Sequence, residues 1–324
     1  MFSTAEVTDW LLDSDPAIRW QVMRDLLDRP NSEWRAERAR VETEGWGAQL
    51  LAAADDDGQW AGGAHFPADF EWGSGEPQPW TSTTHSLSLL REFGFDASGE
   101  RGHRIVRLIG ENCRWEHAGQ PYWEGEVEPC INGITVANGT HFGVDMTLIV
   151  ERLLGERLSD GAWKCEVENG AVVSSFETTI NVLEGLLEHQ RAGRGTPETA
   201  AAQRSAEEYL LERHLFRRLS TGEPAESYFL DLAFPHRWRF DILRGLDYFR
   251  SALALSGTAP DPRLADAIRL LEAKRRDDGS WNLERHWPGR SWFRLEGEVG
   301  TPSRWITLKA LRVLRWWSEG VEPQ

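Results

Sequence analysis

The chain has 324 residues, 40% hydrophobic and 27% charged, the balance of a folded globular protein and not of a disordered one. Its 52 acidic and 36 basic residues leave a net charge of −16, which repels phosphate backbones and argues against a nucleic-acid partner. Three cysteines are too few for a disulfide framework, no apolar run approaches the roughly 20 residues of a membrane span, and the acidic start does not read as a signal peptide, so a cytoplasmic protein is expected.

In chain order, a helix is expected over 4–12, and Asp15-Pro16 opens a second that runs to Leu27, because proline fits a first helical turn. A helix over 33–54 follows and stops before Asp56-Asp57-Gly58-Gln59-Trp60. The Asp-Gly pair reads as a helix end with a left-handed glycine, and the indole two residues on as a wedge between helix ends. The phrase returns as Ser159-Asp160-Gly161-Ala162-Trp163 and Asp277-Asp278-Gly279-Ser280-Trp281, with a weaker copy ending at Trp115. Trp60, Trp115 and Trp163 are 55 and 48 residues apart, while Trp163 and Trp281 are 118 apart, so a lost copy is expected near Ser220-Thr221-Gly222. Besides 33–54, first helices are expected over 101–113, 145–155, 203–219 and 261–275. Second helices are expected over 80–93, 130–142, 174–190, 236–250 and 302–317. Ser174-x-x-Glu177 reads as a capping box, and Thr301-Pro302 as a cap and first turn.

No stretch alternates like a strand, so the chain is expected to be all-α. Six helical hairpins of about 50 residues can close into an (α/α)6 toroid, second helices inside and first helices outside. With no Pro/Gly/Ser-rich linker, 1–324 reads as one domain: N-terminal helices over 1–43, the repeat region over 44–317 and a tail over 318–324.

The phrases ending at Trp60, Trp163 and Trp281 resemble the QW repeats of squalene–hopene cyclases. Over roughly 45–317 the chain resembles the terpenoid cyclase and protein prenyltransferase superfamily of α/α toroids. The family's glutamine, six residues before each tryptophan, is replaced by Ala54, Arg157 and Arg275. The resemblance implies a central cavity for a small hydrophobic substrate of isoprenoid type, with or without a phosphate. It supplies no acid, because the Asp-x-Asp-Asp motif of class II cyclases and the aspartate-rich metal motif of class I are both missing. In prenyltransferase β subunits an Asp-x-Cys and a later histidine hold zinc. Glu128-Pro129-Cys130 stands in the matching place, which implies zinc as a candidate cofactor with Glu128 and Cys130 as ligands. The helix start one repeat later carries Glu177 in place of histidine.

In a ring of hairpins, the N-termini of the inner helices converge on the cavity mouth, and their dipoles favour anions. That places Trp80, His85, Asn132, Glu177, the run 235–241, and Ser303, Arg304 and Trp305 around it. Glu177, His236 and Asp241 are the acid–base candidates. Trp80, His85, Asn132, Arg237, Trp238, Arg304 and Trp305 are the candidates for substrate contacts, with Arg237 suited to an anionic group. Glu128, Cys130, Glu177, His236, Arg237 and Asp241 are expected to share one cavity. Arg237 and Asp241 are spaced as an i,i+4 pair, whereas His236 and Asp241, five apart, do not share a helix face. Structural roles compete for several of these: a small core residue for Cys130, a cap for Glu177, a satisfied core histidine for His85. The long aromatic stretches 61–79 and 282–300 read as lids. Two other functions remain open, a carbohydrate-active (α/α)-barrel with paired carboxylates and a toroid that only binds a ligand or partner.

Overall fold

The computed structural model describes residues 4–320. Among them the chain is helical, with isolated β-bridges and no strand. The α-helices are α1 (Thr4–Leu12), α2 (Pro16–Asp25), α3 (Asn31–Ala39), α4 (Gly45–Ala52), α5 (Thr83–Phe93), α6 (Glu100–Asn112) and α7 (Pro129–His141). They continue as α8 (Thr147–Gly155), α9 (Phe176–Arg191), α10 (Pro197–Glu212), α11 (Ile242–Ser256), α12 (Ala265–Ala273) and α13 (Arg304–Gly320). Residues 321–324 of the expected tail, and 1–3, lie outside the described residues. Among the described residues no helix is long and apolar enough to cross a membrane.

Three expected helices differ from those observed. The one over 33–54 is broken into α3, a 3-10 turn at Arg40–Glu42 and α4, where Gly45 turns left-handed at φ 63°. The one over 203–219 begins earlier, at Pro197, because Thr196 and Thr199 cap each other's backbone N–H. The one over 236–250 begins only at Ile242. The segment before it cannot be helical, since Arg237 has φ 58°, and Asp241 is the N-cap, its carboxylate accepting from the Arg244 N–H.

The tryptophan phrases share one backbone solution. Each preceding helix ends five residues before the phrase's aspartate, at Ala52, Gly155 and Ala273, so the Asp-Gly pair forms a separate turn and does not end the helix. Gly58, Gly161 and Gly279 have φ of 85°, 96° and 81°, a conformation any Cβ would oppose. All three indoles are fully buried, and each Nε1 donates to the carbonyl ten residues earlier: Leu50 at 2.8 Å, Leu153 at 2.7 Å and Leu271 at 2.8 Å. Their backbone N–H groups donate to Thr83, Thr179 and Thr307 in the helix that follows. Each tryptophan therefore joins the two helices of its own hairpin.

The lost copy is present in altered form. Trp115 N–H donates to Gln120 O, Gly119 to Trp115 O and Tyr122 to Cys113 O; Arg218 to Glu223 O, Gly222 to Arg218 O and Ala225 to Phe216 O repeat the pattern. Arg218 thus stands where the weaker phrase has Trp115.

The chain divides into two compact units. One comprises Arg38–Ala206 and Pro288–Phe293. In it α7 is buried from Pro129 to Thr140, and α9 almost as fully, whereas α6 and α8 bury a single stripe. Helices α7 and α9 cross at glycines: a Cβ on Gly133 would stand 2.5 Å from Asn181 O, and one on Gly185 2.5 Å from Gly133 O. The other unit comprises Met1–Glu37, Glu207–Trp287 and Arg294–Gln324. Its core holds a charge network in which Asp247 meets Arg312 at 2.9 Å, Arg250 at 2.8 Å and Lys309 at 3.7 Å. Burial alone would raise the Asp247 carboxyl, but these cations hold it well below the ordinary carboxylate range.

Candidate functional site

The sequence candidates gather in two places, one in each unit. In the unit containing α11 and α13, the turn before α11 brings His236 Nδ1 to 3.1 Å from Asp241 Oδ2. Sequence spacing argued against this pair, but the spacing rule holds for helices and this segment is a turn. The i,i+4 spacing expected of Arg237 and Asp241 does not apply either, since both precede the helix. Asp241 is fixed further by the N–H groups of Ala233 (3.0 Å) and Arg244 (2.8 Å). Burial works to raise its carboxyl, but His236 and those N–H groups outweigh it, and the net shift is downward. With Nδ1 turned to Asp241, His236 directs Nε2 away from it. That nitrogen is buried without a hydrogen-bond partner among the described residues, and the side chain as a whole is only 10% exposed.

Buried aromatic rings adjoin the dyad. Phe234 stacks on Trp305 with centroids 4.6 Å apart and lies 6.2 Å from the His236 ring. Glu296, which sequence reasoning passed over, lies against the start of α13. Its Oε1 accepts from Ser303 Oγ at 2.6 Å and from the Trp305 N–H at 3.0 Å, capping α13. Burial pushes this carboxyl up to about 7 against those hydrogen bonds, so near neutrality it is partly a neutral acid. No motif marks Glu296, because its shift arises from tertiary burial. Arg237 is half-buried, and desolvation lowers its guanidinium to about 9. Trp238 carries the Arg239 guanidinium 3.8 Å from its ring centroid, and Arg304 lies 4.8 Å over Trp10 while donating to the Trp10 carbonyl. An imidazole backed by a carboxylate, a high-pKa carboxyl and an aromatic wall can move protons on an apolar substrate.

No family model matches the chain, and no curated protein does.

In the other unit, Glu128 and Cys130 open α7, with Cys130 Sγ 3.4 Å from Glu128 Oε2. The 3-10 turn Cys165–Asn169, just after the Trp163 phrase, adds Cys165, and the three ligand atoms lie within 4.8 Å of one another. Thr178 Oγ1 donates to Cys165 Sγ at 3.3 Å. The Cys165 sulfur, burial and the Glu128 carboxylate together raise the Cys130 thiol well above its ordinary value. Two sulfurs and a carboxylate are a donor set that suits zinc. Cys165 escaped sequence reasoning because its relation to Cys130 exists only in the folded chain.

The remaining candidates lie in or just before α5, α7 and α9. Asn132 is fully buried and bonds both the N–H (2.7 Å) and the carbonyl (2.7 Å) of Glu126, holding the loop before α7 instead of facing a cavity. Glu177 lies in the first turn of α9, but the cap there is Ser175, bonded to the Thr178 N–H, while Ser174 bonds Asp160. Trp80 is buried and donates to Pro288 O at 2.8 Å. His85 is buried between Trp80 and His65, with ring centroids 4.9 and 4.7 Å away, and its Nε2 is 3.3 Å from Gln78.

Proposed function

We propose that the chain is a toroid enzyme of the terpenoid cyclase and prenyltransferase kind, and that it works on a small hydrophobic, isoprenoid-type substrate. The observation that carries the reading is the buried His236–Asp241 dyad, whose Nε2 has no hydrogen-bond partner among the described residues and which lies beside the stacked Phe234–Trp305 pair. Leaving a buried nitrogen so costs about 1–3 kcal/mol, a cost that a ligand can offset. Cyclisation of a polyene needs one proton delivered and one removed. Glu296 as a neutral acid gives the first, and His236 Nε2 takes the second, so the reaction is proton-neutral. The aromatic faces of Phe234 and Trp305 stabilise the cation formed between those steps.

A closed ring of six hairpins is part of the proposal. Its support is the packing of the phrase glycines: Gly58 abuts Leu108 of α6, and Gly161 abuts Ser205 of α10, each the next first helix. Gly279 abuts Val7 of α1, so α1 takes the place of a first helix following the last hairpin.

The test uses squalene and a polyprenyl diphosphate as probes, with products read by mass spectrometry. His236→Gln and Glu296→Gln are expected to lower turnover by about 10²–10⁴, the usual worth of a general acid or base, with no fall in melting temperature for Glu296→Gln. Failure of the wild type to bind or convert either probe would sink the reading. One observation favours a carbohydrate enzyme: Phe66, Phe70 and Trp72 cluster with centroids 4.4–5.0 Å apart, and Trp72 is 69% exposed, a surface on which a sugar ring can stack.

A further inference from the structure

We infer that Glu128, Cys130 and Cys165 form a zinc site in which a second thiolate takes the place of the histidine that the resemblance implies. The inference stands on the cluster's own geometry and is independent of the proton chemistry proposed above. Three ligand atoms from two separate segments, the start of α7 and the turn after Trp163, come within 4.8 Å of one another. Around a tetrahedral zinc, a sulfur and a carboxylate oxygen stand about 3.6 Å apart, by the usual metal–ligand lengths. Cys130 Sγ and Glu128 Oε2 are already 3.4 Å apart. Two sulfurs on the same ion stand about 3.8 Å apart, so closing the cluster takes side-chain shifts of about 1 Å at most.

The surroundings hold the ligands in place. Glu126 accepts from the Glu128 N–H at 2.7 Å, and Asn132 clamps Glu126 through both backbone groups. Thr178, in the first turn of α9, bonds the Cys165 sulfur, as an outer-shell partner of a metal thiolate does. No histidine belongs to the cluster among the described residues. Two sulfurs select a thiophilic ion over magnesium or calcium, and three protein ligands leave a fourth position open to an exogenous ligand.

The experiment titrates zinc chloride into the full-length, metal-stripped protein against a chromophoric chelator, and repeats it with cobalt(II). One equivalent is expected to bind, and cobalt to give thiolate charge-transfer bands. Cys165→Ser should weaken binding by at least roughly a hundredfold, the upper range for loss of a mere outer-shell partner, and remove about half the band intensity. Glu128→Gln should weaken binding while leaving the bands. Wild-type affinity in Cys165→Ser, or a cobalt spectrum with no thiolate band, overturns the site. Because Cys130 is buried and its variants risk misfolding, the wild type supplies a second reading: zinc should slow alkylation of Cys165 by iodoacetamide, and an unchanged rate overturns the site as well.

Discussion

At the scale of single residues, the three phrase tryptophans and Glu296 lead to opposite expectations. Trp60, Trp163 and Trp281 are fully buried with their indole N–H groups bonded, so replacing any one by alanine should cost about 3–5 kcal/mol. Denaturant melts showing no loss in any of the three would contradict that role. Glu296 is held in the fold with its proton affinity raised, from an ordinary 4.5 to about 7. The folded state then binds more protons than the unfolded one between those values, so stability falls as pH rises through that window. The shift corresponds to about 3 kcal/mol at pH 8. Glu296→Gln should flatten that slope and raise stability at pH 8 by about 1–3 kcal/mol, even as it removes the proposed acid. A variant with the wild-type slope would place the raised carboxyl elsewhere.

At the scale of helices and turns, the sequence was most legible where local chemistry decides. A left-handed glycine, an aspartate beside it and an indole two residues later specify a turn without help from the rest of the fold, and all three strong copies adopt it. The copy at 216–225 has Phe216 where the strong phrases have glycine and Arg218 where they have indole, and the glycine that it keeps, Gly222, matches Gly119 of the weaker copy, so neither marker of the strong phrase survived. The turn at 234–241 was illegible because Pro235 ahead of an apolar run imitates a helix start, while the left-handed Arg237 carries no marker in sequence. Cys165 and Glu296 were missed for a related reason, since proximity and burial belong to tertiary structure. The glycine crossing of α7 and α9 gives this scale its prediction. Gly→Ala usually stabilises a helix, but at Gly133 and Gly185 a methyl meets backbone at 2.5 Å, so each substitution should cost about 1–3 kcal/mol. A neutral or stabilising result on thermal melting would mean the crossing is looser than it stands.

At the scale of the whole chain, the response to acid follows from buried imidazoles. Desolvation holds His65 at about 4, and the same cause, helped by the charge of Arg91, brings His141 to about 4. Unfolded histidine takes a proton near 6.5, so between pH 6.5 and 4 the unfolded chain binds more protons and stability is lost as pH falls. Each residue contributes up to about 3 kcal/mol to that loss, in the direction opposite to Glu296. Urea unfolding at pH 7 and at pH 4.5 should show a marked fall in midpoint, and an unchanged midpoint would mean these rings are hydrated in the native state.

Trp72 is the exposed member of the chain's 17 tryptophans, and it stands in the loop that carries Phe66 and Phe70. The chain therefore carries its own optical probe. Buried indoles emit toward the blue and are shielded from a neutral quencher, whereas Trp72 emits toward the red and collides freely with acrylamide. Nine further tryptophans are half-buried, so the part of the quenchable, red-edge emission that a Trp72→Phe variant removes is the part that reports on this loop, and a sugar or a polyene settling there will announce itself without a label.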